Sequence, residues 1–112
     1  MKSIKVFDIV GKNAISIQSG RKLFQQIQGE IGNGAPIELD FEKVEIFASP
    51  FFNSSIGVLL KDSTIDELLS NLKIVNLEGN GKNLLNQVIS NALRFYSSDK
   101  AVSQALDKKS GE

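Results

Sequence analysis

A chain of 112 residues, 41% hydrophobic and 23% charged, has the size of one ordinary globular domain and is too apolar for wholesale disorder. Thirteen basic residues balance thirteen acidic ones, so no global field draws it to nucleic acid or to an anionic membrane. With neither cysteine nor histidine, it has no disulfide, no thiolate metal site, no cysteine nucleophile and neither the commonest general base nor the commonest zinc ligand.

Residues 1–6 lack the apolar core of a signal peptide, and no apolar run approaches the ~20 residues of a membrane span, so a cytoplasmic chain is expected. Residues 4–10, Ile-Lys-Val-Phe-Asp-Ile-Val, are β-branched and roughly alternating and predict a first strand. After the turn signal Gly11-Lys12-Asn13, residues 14–17 suggest a short second strand, and Ser19 is a candidate N-cap. Leu23, Phe24, Ile27 and Ile31 then lie on one helical stripe, which Gly32-Asn33-Gly34 stops. Ile37, Leu39 and Phe41 alternate with Glu38 and Asp40, the pattern of a strand with one wet face, and residues 43–47 extend or follow it.

Ser49 as N-cap and Pro50 in the first turn predict a helix with Phe52, Ile56, Leu59 and Leu60 on its apolar stripe. Gly57 interrupts that stripe and implies close packing against the sheet. Ser63 or Thr64 caps a short helix, with Glu67 at the capping-box spacing from Thr64. Residues 72–77 alternate as another strand, and Gly79-Asn80-Gly81 reads as a turn before the longest helix. There Leu84, Val88 and Ala92 and the row Leu85, Ile89 and Leu93 run at i, i+4 spacing, ending in Phe95 and Tyr96. This order predicts a single α/β domain over residues 1–96, with a small mixed or parallel sheet and helices mainly on one face. Residues 97–112 form a C-terminal extension, partly helical or disordered.

The chemistry-bearing residues assemble no recognisable active site: no catalytic residue, no metal site and no cofactor is expected. Asp40 and Asp62 bracket the central unit as solvated acids, and Ser54-Ser55 reads as the polar face of a helix. Gly79 and Gly81 precede a helix whose free N–H groups could hold an anion, but the segment matches neither a Walker A loop nor a dinucleotide fingerprint. Lys61, Lys73, Lys82 and Arg94 are dispersed, without the aromatic interleaving of a nucleic-acid platform. The segment that stands out is 47–53, Phe-Ala-Ser-Pro-Phe-Phe-Asn. Phe52 belongs to the core stripe, so its neighbour Phe51 either packs under an adjacent element or serves as an apolar anchor for a partner.

The run Leu39-Asp40-Phe41-Glu42-Lys43-Val44, then Ser49-Pro50-Phe51-Phe52-Asn53 and Ile56-Gly57, resembles the STAS-like family of unknown function. That family is a relative of the STAS domains of anti-sigma factor antagonists. The likeness reaches back to Ala14-Ile15-Ser16 and Gly20 and forward through residues 72–77 to the last helix, about the first 96 residues. In those antagonists a Leu-Asp-Leu strand runs into Asp-Ser-Ser-Gly at a helix start, and a GHKL-type kinase phosphorylates the second Ser. In register with that motif the Asp falls on Ala48, the first Ser on Ser49, the acceptor on Pro50 and the Gly on Phe51, so the phosphoacceptor is missing.

The resemblance therefore implies a non-enzymatic interaction module in bacterial signalling or regulation. It would dock a protein partner, a GHKL-type ATPase or another regulator, through Ser49, Pro50, Phe51 and Asn53. No nucleic acid or membrane is expected as partner, and a homodimer is left open. The alternative is a small-ligand or nucleotide sensor, with Ser49, Gly79 and Gly81 as the modified or anion-contacting residues.

Overall fold

The computed structural model describes residues 2–31 and 35–110, with side chains through Tyr96. The stop signal at residues 32–34 lies outside the described residues. Three parallel strands, β1 (Lys2–Lys5), β3 (Ile37–Asp40) and β5 (Leu72–Val75), make a sheet in the order β1-β3-β5. Their register sets Ile4 opposite Leu39 and Leu39 opposite Ile74. The row formed by Ile4, Ile37, Leu39, Leu72 and Ile74 faces the helices, while Lys5 and Lys73 point to water and the Ser3 hydroxyl donates to Glu38 Oε2 at 3.0 Å. The sheet is wet on one face, as the alternation of Ile37, Leu39 and Phe41 predicts.

The first strand is shorter than its composition suggests. β1 ends at Lys5, and helix α1 (Val6–Val10) follows, closed by the Gly11 amide donating to the Phe7 carbonyl at 2.8 Å with Gly11 at φ +76°. Val6, Ile9 and Val10 stand at i, i+3 and i+4, and all three are at least half-buried, while Phe7 and Asp8 are exposed in succession. That is a helical stripe inside an apparently alternating run.

Strand β2 is only Asn13–Ala14, not residues 14–17, and it pairs in parallel with β4 (Ile46–Phe47) in a second small sheet. Between β3 and β4, Lys43 turns the chain at φ +73°, so residues 43–47 leave the main sheet instead of extending β3. Helix α2 (Ile17–Ile31) begins two residues before Ser19; the cap is Ser16, whose hydroxyl accepts the Ser19 amide at 3.0 Å. Helix α3 (Ser49–Ser55) is capped by Ala48, with no side-chain bond, so Ser49 and Pro50 occupy its first turn and Ser49 is not the cap. The helix gives way to a 3-10 segment, Gly57–Lys61. A Cβ on Gly57 would meet Val88 Cγ1 at 3.2 Å, so the close packing inferred there is against the last helix, not against the sheet.

Helix α4 (Ile65–Asn71) carries the full capping box. Thr64 Oγ1 accepts the Glu67 amide at 3.1 Å, and the Glu67 carboxylate accepts the Thr64 amide at 3.3 Å. Helix α5 (Gly79–Ser110) starts at the glycines themselves; Gly79-Asn80-Gly81 is its first turn. Its backbone stays helical through residues 97–110, past the point where the apolar periodicity fades. Of its two rows, Leu85, Val88 and Ala92 are buried and Leu84, Ile89 and Leu93 are half-buried against the core. No helix among the described residues is long and apolar enough to cross a membrane.

Candidate docking surface

Two neighbouring parallel strands bring the starts of two helices together. β2 leads into α2 and β4 leads into α3, and the Ala48 amide donates to the Ala14 carbonyl at 3.0 Å. α2 and α3 therefore set out side by side, and they cross closely. A Cβ on Gly20 would fall on Ser54 Oγ and 2.6 Å from the Phe51 carbonyl oxygen. Only glycine accommodates that approach without a shift. Ser54 Oγ lies between the helices, donating toward the Pro50 carbonyl at 2.8 Å and within 3.3 Å of the Ile17 carbonyl. Ser55, read as part of a polar face, is fully buried and donates to the Phe51 carbonyl at 2.8 Å. Burial costs little when the hydroxyl is paired this way.

Phe51 has no exposed surface at all. It meets the Phe52 ring edge-on at 5.4 Å, and Phe52 in turn stacks on Phe47 at 5.6 Å and tilts against Phe41 at 6.1 Å. The proposed anchor is thus a core residue, and Phe51 leaves the set of partner-contacting side chains. A lone helix on a sheet hides one stripe. α3 packs against both α2 and α5, and covering it on two sides buries adjacent side chains.

Ser49, Pro50 and Asn53 are exposed. Pro50 and Asn53 border an open furrow of about 520 Å³ to which α3 also contributes Ser54. Ile17, Arg21 and Phe24 come from α2, and Val58 and Tyr96 complete it. Ile17 is half-exposed, so apolar surface is on offer. A second depression shares Asn53 and Tyr96 with the first and adds Asn91 and Phe95, which is 67% exposed. The sequence pattern of α2 holds the missed signal. Ile17, Arg21 and Phe24 recur at i, i+4 and i+7, a stripe beside the core stripe of Gly20, Leu23 and Ile27. Among the described residues the most exposed aromatic is Phe95, not Phe51.

Of the glycines at 79 and 81, Gly79 is exposed with positive φ, and Gly81 serves packing. Gly81 is buried, and a Cβ there would stand 2.7 Å from Leu77 Cδ1 and 3.0 Å from the Phe47 ring, so it lets α5 start tightly against β4. The depression at this helix start is bordered by Glu45 and Glu78, whose charges oppose an anion. At α3 the helix has seven residues and no cap side chain, which makes a weak anion holder.

At the far end of the strands, Asp40 accepts the Asn76 side-chain amide at 2.8 Å and the Glu42 amide at 2.9 Å. The Asn76 bond, then the Glu42 bond, hold its carboxyl below the usual carboxylate value, with a lesser contribution from Lys5. Asp40 is thus tied into the strand ends, whereas Asp62 is exposed beyond the 3-10 segment.

A family model described as a STAS-like domain of unknown function matches residues 19–82, from the first turn of α2 to the start of α5. The chain belongs to that STAS-like family. The match spans β3, β4 and α3, the elements that carry the resemblance, and it includes the α2–α3 crossing at Gly20. No curated protein and no solved structure matches the chain. In this STAS-like domain, Pro50 stands in the first turn of α3, with exposed Ser49 before it.

Proposed function

We propose that this STAS-like domain is a non-enzymatic interaction module that docks a protein partner along the α2–α3 furrow, with Pro50 and Asn53 on the contact and Ser49 at its edge. The observation that carries the reading is the furrow's make-up: exposed Pro50 and half-exposed Ile17 beside Phe24, Val58 and Tyr96. Concave surface of that size, largely apolar with a few polar groups, is what a partner's anchors need. Of the partners the family resemblance brings with it, a regulator such as a GHKL-type ATPase fits a bacterial, cytoplasmic signalling role. Control by phosphate on the second Ser of the motif does not, because proline has no hydroxyl to modify.

The test is co-purification from the native host with tagged full chain, comparing wild type with Pro50→Asp and Asn53→Ala. Both positions are exposed, so folding should survive. Loss of one specific partner with both variants is the expected result. Retention of every wild-type partner by both folded variants would remove the furrow from the function.

A further inference from the structure

We infer that the furrow selects an acidic, amphipathic segment of its partner, recognised by Arg21 and Arg94 beside an apolar floor. The inference rests on the docking reading above and adds the partner's chemistry.

The chain has thirteen cationic side chains, of which only two are arginines, at positions 21 and 94. Arg21 lines the main depression. Arg94 is exposed, and its Nη2 donates at 2.7 Å to Oδ1 of Asn91, which lines the adjoining depression with Phe95 and Tyr96. Among the described residues no carboxylate lines either depression. Elsewhere the surface behaves differently. Asp8, Asp40 and Glu42 line the pocket at the strand ends, and Glu45 and Glu78 line that at the start of α5. Of the two guanidiniums, one thus lines the furrow and the other is bonded to a residue of the adjoining depression.

Guanidinium is the cation suited to that role. Its planar fork meets a carboxylate with two parallel hydrogen bonds, and it is less strongly hydrated than an ammonium, so it tolerates the partial drying of an interface. The two depressions also present Ile17, Pro50, Val58 and the exposed Phe95, whose side chains offer apolar burial and no hydrogen bonds. An occupant must therefore alternate apolar anchors with acidic flanks. Nucleic acid also carries anions, but a floor of Ile, Pro and Val with two cations and zero net charge lacks the basic field that phosphate backbones require.

The experiment selects a displayed library of random peptides on the immobilised full chain and measures the winners by fluorescence anisotropy. Enriched peptides are expected to combine apolar anchors with Asp or Glu and to weaken as salt rises. They should lose about tenfold or more in affinity on the Arg21→Glu/Arg94→Glu variant, whose sites are exposed and whose urea unfolding should match wild type. Exchanging a peptide's acids for lysine should restore binding to that variant. Winners without acidic residues, winners indifferent to the variant, or oligothymidylate binding the face equally well would overturn the inference. Hydrogen exchange separates the two levels. Non-acidic winners that protect residues 17–24 and 49–58 leave the docking reading standing, whereas winners that protect only other surfaces, or no winners at all, overturn both.

Discussion

Replacing Gly20 with alanine tests the helix crossing that shapes the furrow. The added methyl falls on Ser54 Oγ and lies 2.6 Å from the Phe51 carbonyl oxygen and 3.0 Å from Ser54 Cβ. The serine hydroxyl can rotate away, at the cost of its bonds toward the Pro50 and Ile17 carbonyls, about 1 kcal/mol net. The Phe51 carbonyl is backbone and cannot rotate, so α2 and α3 must separate, and forced overpacking of that kind costs roughly 1–3 kcal/mol. Against this, alanine favours a helix interior over glycine by about 1 kcal/mol. The balance is a loss of roughly 1–3 kcal/mol, which for a small domain lowers Tm by roughly 5–20 °C. Urea unfolding of Gly20→Ala and of Gly20→Ala/Ser54→Ala measures it. The double variant removes the hydroxyl contact but not the carbonyl contact, so it should recover only part of the loss relative to Ser54→Ala. A single variant as stable as wild type would refute the close crossing.

Three further outcomes follow from the same packing. Phe51→Ala should lose about 3–5 kcal/mol and Phe51→Asp should not fold, while Ser49→Ala should stay within about 0.5 kcal/mol of wild type; denaturant unfolding reads all three, and a stable Phe51→Asp protein would return Phe51 to the surface. Thr64→Ala should cost about 1 kcal/mol through loss of the capping box at α4, seen in the same assay. For Asp40 the folded carboxyl is held below its unfolded value, so its contribution to stability is full above about pH 4 and is lost as pH falls through the lower folded value. Asp40→Asn should therefore show a shallower loss of stability with acid than wild type, the two curves converging at the acidic end; parallel curves would contradict the pairing with Asn76.

Elements whose patterns are set locally were legible in the sequence. Ile37, Leu39 and Phe41 alternate because one face of β3 is wet, and Thr64 with Glu67 forms a cap within one turn of chain. What could not be read depends on which elements meet. Phe51 is buried because α3 is covered by both α2 and α5, and no pattern within 49–55 encodes a second cover. Val6, Ile9 and Val10 form a helical stripe that five residues are too few to distinguish from a strand. Ser16 outcompetes Ser19 as the cap of α2 because β2 ends at Ala14, a boundary set by pairing with β4. The family resemblance located the α3 start, whereas the furrow beside it needed Ile17, Arg21 and Phe24 from a helix some thirty positions earlier in the chain, together with Tyr96 from the last helix.

The most direct measurement is a hydrogen-exchange footprint of the full chain with the partner recovered by co-purification. Docking along the furrow predicts slowed exchange in residues 17–24 and 49–58, with the strand ends around Lys5 and Lys43 unchanged. Protection confined to those strand ends, with the α2–α3 furrow exchanging as in the free protein, would contradict it.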